Sequence, residues 1–426
     1  MFNEGILDAT LKLIKRFIPK RLFDLGARVY HPLLAWSGAL VYGFPSRKLT
    51  VIGVTGTKGK STVVYLTALL LERAGHPTAS VGSLGYSIRD ERWPNLLKNT
   101  MPGRWRLQKF IKRAVNAGCT HLVMEVPSEG IAQRRHLGVR FDGAVFTGLH
   151  REHLEAHGSY EAYRDAKEEL FRITKGIHVI NADDGEAQRF GSHPAGKRIF
   201  YGIHGGELRA TDVQVGMRGS SFTVYGQEFR IHLGGRFNVL NALAALSAAA
   251  MYGVDLPTAR PILEDVKGIP GRMQWVQTEP FGVVVDYAHT PDSLKAVYEA
   301  LKPDARRLLC VLGAAGGGRD KWKRKEFGAL AEQYCDAIYL TDEDPYDENP
   351  GRILEDIASG VTGPGQKKVE RVLDRRQAIG NALADAKEGD IVVITGKGSE
   401  TSIAVAGGKR VPWSDENVVK ELLEGR

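Results

Sequence analysis

The segment that most limits what this chain can fold into is Gly53-Val-Thr-Gly56-Thr57-Lys58-Gly59-Lys60-Ser61-Thr62. It joins a β-rich apolar run, "LTVIGVTG", to "STVVYLTALLLERAG", whose apolar spacing is helical and which ends on glycine. A glycine-rich turn from strand to helix lets backbone N–H groups close around phosphates. Lys60 can then reach β/γ oxygens, and the Ser61 hydroxyl can ligate Mg²⁺. The spacing departs from the generic P-loop, because five residues separate Gly53 from Gly59.

Short apolar strands follow at "HLVMEV", "GAVFTGL" and "HVIN", with helical segments between them. That alternation implies a parallel sheet covered by helices. Residues of about 195 to 235 alternate apolar and polar with glycine turns, which predicts antiparallel hairpins. "NVLNALAALSAAAMYG" predicts a helix, and "VKGIPGR" a hinge near residue 270. A second alternating block runs through "FGVVVDYAH", "RLLCVLGAAGGG", "DAIYLTD" and "GDIVVITGKG". The expected class is α/β: a P-loop-type central ATPase domain over 49–269 with a mostly parallel sheet, and a Rossmann-like C-terminal domain over 270–426.

Residues 1–48 form a separate arm. Lys12, Lys15, Arg16, Lys20, Arg21 and Arg28 interleave with Leu11, Ile14, Phe17, Leu22, Leu25 and Val29. A mostly apolar run from Val29 to Phe44 follows, interrupted by His31, Pro32 and two glycines, and is closed by Pro45. The pattern predicts an amphipathic helix, a break, then an apolar helix. The arm suits packing on the next domain or a peripheral membrane contact.

The net charge of +8 fits phosphorylated ligands; with no zinc finger, RNA-recognition signature or aromatic-basic stripe, nucleic acid is not an expected partner. The cysteines at 119, 310 and 335 have no metal-ligand spacing, which argues for a reducing compartment and against a disulfide framework. No secretory signal and no apolar run of roughly 20 residues is present, so a cytoplasmic protein is expected, working as a monomer.

Glu125 ends an apolar strand, where carboxylates of open α/β sheets face the ligand crevice, and is a candidate metal ligand. In "TGLHREHLEAHGSYEAYRDAKEELF", His153 and His157 taken alone could be a helical surface pair, and Lys167 a solvated lysine. Mg²⁺ prefers oxygen ligands, so neither is an obvious metal residue.

In this order the pieces resemble the Mur ligase family, from about residue 50 to the end. "GVTGTKGKST" is similar to its P-loop, "MEVPSEGIAQRR" to its Glu-Val-Ser-Ser segment, "EHLEAHG" to its metal-histidine segment and "YRDAKEELF" to its lysine helix. "NADD", "GRFNVLNALAA", "GRM", "DYAHTPDSL", "GGGRDKWKR" and "GKGSE" follow in family order. The resemblance implies an ATP-dependent ligase that activates a muropeptide carboxylate as an acyl phosphate and joins it to an amino acid. Gly56, Thr57, Gly59, Lys60, Ser61 and Thr62 would hold the phosphates. One of two Mg²⁺ ions would involve Ser61; the other would be held by Glu125, His153 and Lys167, the lysine carboxylated to a carbamate. Asn241, Asp286 and His289 would meet the nucleotide. Thr100, Ser128, Arg135, Arg319, Asp344, Tyr346, Gly396 and Glu400 would contact substrates, Arg319 and Glu400 on the amino acid.

Departures from the family concern recognition. The family's N-terminal domain, which holds UDP, has no counterpart, and the basic arm stands in its place. Asp-Asn-Pro-Arg, which selects diaminopimelate, reads here Glu343-Asp344-Pro345-Tyr346. Tyrosine cannot grip a carboxylate as arginine does, and Asp344 offers negative charge, so a basic amino acid is expected over diaminopimelate. Glu152 and Glu155 replace aspartates, Pro127 and Glu129 a serine and a histidine, and Ser399 a histidine. Two other readings are a folylpolyglutamate-type ligase and a nucleotide-binding subunit without ligase activity.

Overall fold

The structure is a computed structural model describing residues 20–96, 99–150, 157–318, 321–363 and 369–425, with side chains from Tyr30 onward. β1 (Thr50–Thr55) sits inside a nine-stranded sheet of order β4-β3-β2-β5-β1-β6-β7-β8-β9. The other strands are β2 (Thr78–Gly82), β3 (Gly85–Ile88), β4 (Glu91–Trp93), β5 (His121–Glu125), β6 (Gly143–Phe146), β7 (Ile177–Asn181), β8 (Lys197–Gly202) and β9 (Leu208–Arg209). β3 and β4 form antiparallel hairpins at one edge, and the remaining pairs are parallel. From β1 the chain crosses to β2 and β5 on one side, then returns to β6 on the other. The carboxyl end of β1 therefore opens on a topological switch point, where α/β sheets bind ligands.

Both faces of this sheet are covered, which explains its continuous apolar strands. On one face Ile52, Val54 and Val145 pack with Val63, Leu66 and Leu70 of α2 (Lys60–Arg73, following α1 of the arm). On the other, Val51, Leu122, Met124 and Phe146 pack with α3 (Arg104–Asn116), with α4 (Ser128–Ala132) nearby and α5 (Tyr160–Ile173) contributing Tyr163, Leu170 and Phe171. Each such side chain stabilises by about 1.5–3 kcal/mol. After α6 (Ala187–Gly191) and the strands beyond it, α7 (Arg236–Ala250) is rich in alanine and leucine and buried against α2; α8 (Leu256–Glu264) closes this part.

β10 (Thr211–Val215), β11 (Ser220–Val224) and β12 (Gln227–Ile231) form an antiparallel sheet. The hairpins expected from residue 195 thus begin at 211, because β8 and β9 extend the parallel sheet instead. The second α/β unit has order β13-β14-β18-β15-β16-β17. Its strands are β13 (Gln274–Gln277), β14 (Gly282–Val285), β15 (Leu308–Leu312), β16 (Ala337–Leu340), β17 (Val369–Arg371) and β18 (Ile391–Ile394), parallel except for β13. Helices α9 (Pro291–Leu301), α10 (Trp322–Tyr334), α11 (Pro350–Ala358), α12 (Arg375–Asp385) and α13 (Asp415–Glu424) cover it.

Two expectations need correction. The arm is one continuous helix, α1 (Lys20–Val41), with Pro32 inside it. A proline removes one backbone hydrogen bond and bends a helix without forbidding it. Ala35, Gly38 and Ala39 hold the second half against Trp105, Gln108 and Gly138. Residues 1–19 lie outside the described residues. Second, Cys310 and Cys335 form a disulfide, with Cα atoms 6.0 Å apart. Their spacing in sequence hid this: the crossover through α10 returns the chain beside β15 and brings the two thiols together. Cys119 is free and buried.

Candidate active site

The loop Gly56–Gly59 carries the chain from β1 into α2. Gly56 (φ 146°) and Gly59 (φ 81°) adopt backbone conformations unfavourable to side chains. A Cβ would collide at Gly56 with the Thr147 hydroxyl and at Gly59 with the Asn241 amide oxygen. No side chain caps the start of α2, so its first-turn N–H groups are left for an anion. The loop is tied down from outside. Thr57 N donates to Gly148 O at 2.8 Å, His150 N donates to Thr57 Oγ1 at 2.9 Å, and Thr57 Oγ1 lies 3.0 Å from the Tyr163 hydroxyl. Thr62 is buried in α2.

Two lysines converge here. Lys60 Nζ donates to Gly56 O at 2.9 Å and to Thr57 O at 2.8 Å. Lys167 Nζ, from α5, donates to the same Gly56 O at 2.6 Å and lies 4.6 Å from the Tyr163 ring centroid. Lys167 is 2% exposed, so it is not a solvated lysine.

Glu125, 1% exposed at the end of β5, accepts from Ser83 N at 2.6 Å and from Ser83 Oγ at 3.4 Å. Ser83 Oγ is 3.0 Å from Thr100 Oγ1, so one serine links the candidate metal carboxylate to a candidate substrate contact. Ser83 carried no motif; its only sequence signal is a place in the Gly82–Gly85 turn. Ser128 Oγ is 3.1 Å from His157 Nε2. Arg135 donates to Met101 O at 2.7 Å and to Gln133 Oε1 at 2.6 Å. Arg104, also missed from sequence, donates to Gln133 O. Burial, then the neighbouring Arg135 charge, pulls the Arg104 pKa down to about 10. Burial likewise lowers that of Arg135, opposed by Glu129. Two crowded guanidinium groups beside the Thr100–Met101 loop suit an anionic ligand.

Past the hinge, Arg272 Nη2 lies 3.4 Å from Ser61 Oγ and its guanidinium sits 4.5 Å from the Tyr287 ring centroid. Asp286, buried after β14, accepts from Met273 N and Ala288 N, both at 2.7 Å. Burial raises its pKa, against the lowering effect of Arg272. His289 Nδ1 is 2.8 Å from Tyr287 O. Asn241 donates to Asn238 Oδ1 at 3.1 Å, across the loop at Gly59.

At the far end, Lys397 is fully buried and donates to Asp344 Oδ1 at 2.8 Å and Glu400 Oε2 at 2.5 Å. Ala404 N also donates to Asp344 Oδ1, at 2.7 Å. Asp344 is thus already engaged by internal donors, sharing the Lys397 ammonium with Glu400, where it was expected to offer its charge to a substrate. At this end of the site its neighbour Glu343, 5% exposed, has a carboxylate oxygen, Oε2, with no hydrogen bond among the described residues. Gly396 (φ 102°) abuts it, and a Cβ there would collide with Glu343 Oε2. Tyr346 (φ 52°) donates through its N–H to Ala404 O at 3.1 Å and stacks its side chain near Gly317.

His153 and Arg319 lie outside the described residues, as do Glu152 and Glu155. Among the described residues no three His, Cys, Asp or Glu side chains form a metal cluster. The glycine cradle, the uncapped helix start and the two lysines fit a polyphosphate with its cation.

Residues 54–249 match the Mur ligase middle domain, and residues 271–398 the Mur ligase, glutamate ligase domain. The chain is 40% identical over 397 residues to the UDP-N-acetylmuramoyl-L-alanyl-D-glutamate–2,6-diaminopimelate ligase of Gloeobacter violaceus, covering 90% of this chain and 79% of that protein. The chain belongs to the Mur ligase family. This Mur ligase is also 37% identical to the UDP-N-acetylmuramyl-tripeptide synthetase of a Roseiflexus species, over 92% of this chain and 81% of that protein. A solved structure of a UDP-N-acetylmuramoyl-L-alanyl-D-glutamate–2,6-diaminopimelate ligase is 33% identical, with a TM-score of 0.61 over 88% of this chain and 78% of that one. The folylpolyglutamate synthase of Mycobacterium tuberculosis shares the fold, with 18% identity and a TM-score of 0.70 over 86% of this chain and 92% of that one. The chain is an ATP-dependent ligase of the kind that forms amide bonds in peptidoglycan precursor synthesis.

Proposed function

We propose that this Mur ligase adds a basic amino acid to the carboxylate of a muropeptide acceptor in the cytoplasm. The observation that carries the reading is the convergence of Lys60 and Lys167 on one carbonyl oxygen at the uncapped start of α2. Lys60 there suits a transferring phosphoryl group, and Lys167 beside it is placed to hold the metal that shares the phosphate charge once its amine is carboxylated.

In the proposed reaction an acceptor carboxylate oxygen attacks the γ-phosphorus of ATP. The bond to the β-bridging oxygen breaks, ADP leaves, and an acyl phosphate forms. The amine then attacks the acyl carbon, loses a proton and expels phosphate, leaving an amide. Lys60 takes up charge on the transferring group, and Ser61 and Glu125 are the oxygen ligands available to metal. Mg²⁺, when bound, supplies further neutralisation of phosphate charge. Carboxylation of Lys167 would turn a cation into an oxygen ligand beside Gly56. Thr100, Ser128 and Arg135 would hold the acceptor, with Arg104 adding positive charge. Asn241, Asp286 and His289 stay assigned to the nucleotide, and His153 to metal.

For the amine, Glu343 replaces Asp344 as the group offered to a cationic side chain, with Glu400, Gly396 and Tyr346 nearby, and Arg319 keeps its expected role on the amino acid. The acceptor is UDP-linked or lipid-linked, and peripheral membrane contact by the arm favours the lipid form. Phosphate release from ATP and Mg²⁺, measured across amino acids with each acceptor, tests the reading. Turnover that requires both an acceptor and lysine or ornithine supports it. A clear preference for diaminopimelate defeats the basic-amino-acid part, and activity on glutamate with a folate defeats the muropeptide part.

A further inference from the structure

Six of the thirteen large apolar side chains exposed among the described residues lie together: Tyr30, Leu33, Trp36, Leu40 and Val41 on α1, and Trp105 on α3. On α1 the spacing of 30, 33, 36, 40 and 41 puts them on one helical face. The opposite side, with Ala35 and Ala39, is the one packed on the protein. Trp36 is 50% exposed and Leu40 69%. Trp105 continues the face across the helix boundary: its ring lies against Gly38, its indole N–H donates to Ser37 Oγ at 3.2 Å, and it makes an edge contact with Tyr42. A contiguous apolar face of this kind on a globular chain marks something that covers it.

The charge around the face says what. Exposed on the same two segments are Arg47 and Lys48 in the turn after α1, and Arg106, Lys109 and Arg113 on α3, Arg113 lying over the Trp93 ring, with Lys112 half-buried. Neither α3 nor the segment Tyr30–Lys48 contains an acidic residue. Tryptophans, tyrosine and leucines beside segments whose charged residues are all arginine and lysine match the headgroup region of an anionic bilayer. Each basic residue held near such a surface contributes about 1 kcal/mol. No helix among the described residues is long and apolar enough to cross a membrane, so the contact is with the surface.

We propose that the α1–α3 face docks this ligase flat on an anionic bilayer. The docking site is therefore not the arm alone: four of these six basic residues sit on α3, whose first residue, Arg104, follows the Thr100–Met101 loop. An acceptor carried on a lipid would arrive beside that loop without leaving the membrane plane. This consequence rests on the proposed acceptor chemistry, whereas the docking does not.

The test is co-sedimentation of the full chain with vesicles of phosphatidylcholine, with and without phosphatidylglycerol. Binding is expected only to the anionic vesicles, falling steeply between low and high salt. Trp36→Glu with Leu40→Glu, and separately Lys109→Glu with Arg113→Glu, should each weaken it at least ten-fold. ATP turnover on a soluble acceptor should stay unchanged, which shows that the variants fold. Equal binding to neutral vesicles, or binding indifferent to both double variants, overturns the proposal. So does a dimer in solution that Trp36→Glu with Leu40→Glu dissociates, since a second copy would then be what covers the face. Loss of ligase activity in the unaltered chain would sink the acceptor reading while leaving vesicle binding to stand or fall alone.

Discussion

Lys167 crosses from α5 to donate to the Gly56 carbonyl at 2.6 Å, and Lys60 reaches the same oxygen from the start of α2 at 2.9 Å. The two lysines are 107 positions apart in sequence, yet one backbone atom fixes where both charges point. That atom belongs to a glycine whose φ and crowding admit no side chain. The end of the site proposed to handle phosphate is therefore set by backbone geometry, and its charges follow.

Removing the Lys60 charge should act on the chemical step. Lys60→Ala is expected to lower kcat by about 10²–10³-fold, the scale of losing one transition-state donor. Steady-state kinetics should show a much smaller change in the KM for the amino acid, which binds elsewhere.

Lys167 has a test beyond loss of activity. If its amine takes up CO₂, protein equilibrated with carbon-labelled bicarbonate should show a carbamate carbon resonance that is absent from Lys167→Ala. Short carboxylates such as acetate should restore part of the activity of Lys167→Ala and none of that of Lys60→Ala. A silent spectrum with full activity would leave Lys167 acting as a cation on Gly56 O.

Gly59→Ala should weaken nucleotide binding at least ten-fold, read by calorimetry. Its φ of 81° disfavours alanine by roughly 1–2 kcal/mol, and the new methyl would press on Asn241.

Burial raises the Glu343 pKa; Lys397 and Lys323 oppose this and Asp344 adds to it. The folded protein therefore favours the protonated carboxyl. Its stabilising contribution is complete below the unfolded value of about 4.3 and is lost as pH rises through the raised folded value. Glu343→Gln should escape this loss, so its Tm should exceed that of the unaltered chain at neutral pH. The gap should close in acid, and the loss of affinity for a cationic amino acid should appear only above the raised Glu343 pKa, where the unaltered chain carries the charge. A constant Tm difference across the titration would remove the carboxylate from the explanation.

The Arg375–Asp415 pair is buried on both sides, with two contacts of 2.8 Å, and Arg375 also donates to Thr395 O at 2.8 Å. Arg375→Ala should cost about 3–5 kcal/mol, because it strands the Asp415 charge. Denaturant unfolding of the C-terminal unit reads this directly.

What was legible in the sequence is what short-range pattern encodes. The turn from β1 to α2, the Glu125 strand end and the alanine- and leucine-rich α7 each follow from residues within one window. Contacts made by chain crossovers were not legible. Cys310 and Cys335 meet only because α10 returns beside β15, and Asp344 loses its free charge only because Lys397, 53 positions away, reaches back to it. Residues 197–209 have hairpin-like alternation but find a parallel neighbour in β7, so tertiary pairing overrode the local pattern. Pro32 signalled a break that the packing of Ala35, Gly38 and Ala39 did not permit.

The central claim is that an acceptor carboxylate is activated by phosphoryl transfer before the amine attacks. The most direct measurement uses an acceptor whose carboxylate carries heavy oxygen, with mass analysis of the phosphate released during turnover with lysine. The account predicts one labelled oxygen in each phosphate. Unlabelled phosphate, with amide still formed, would contradict it.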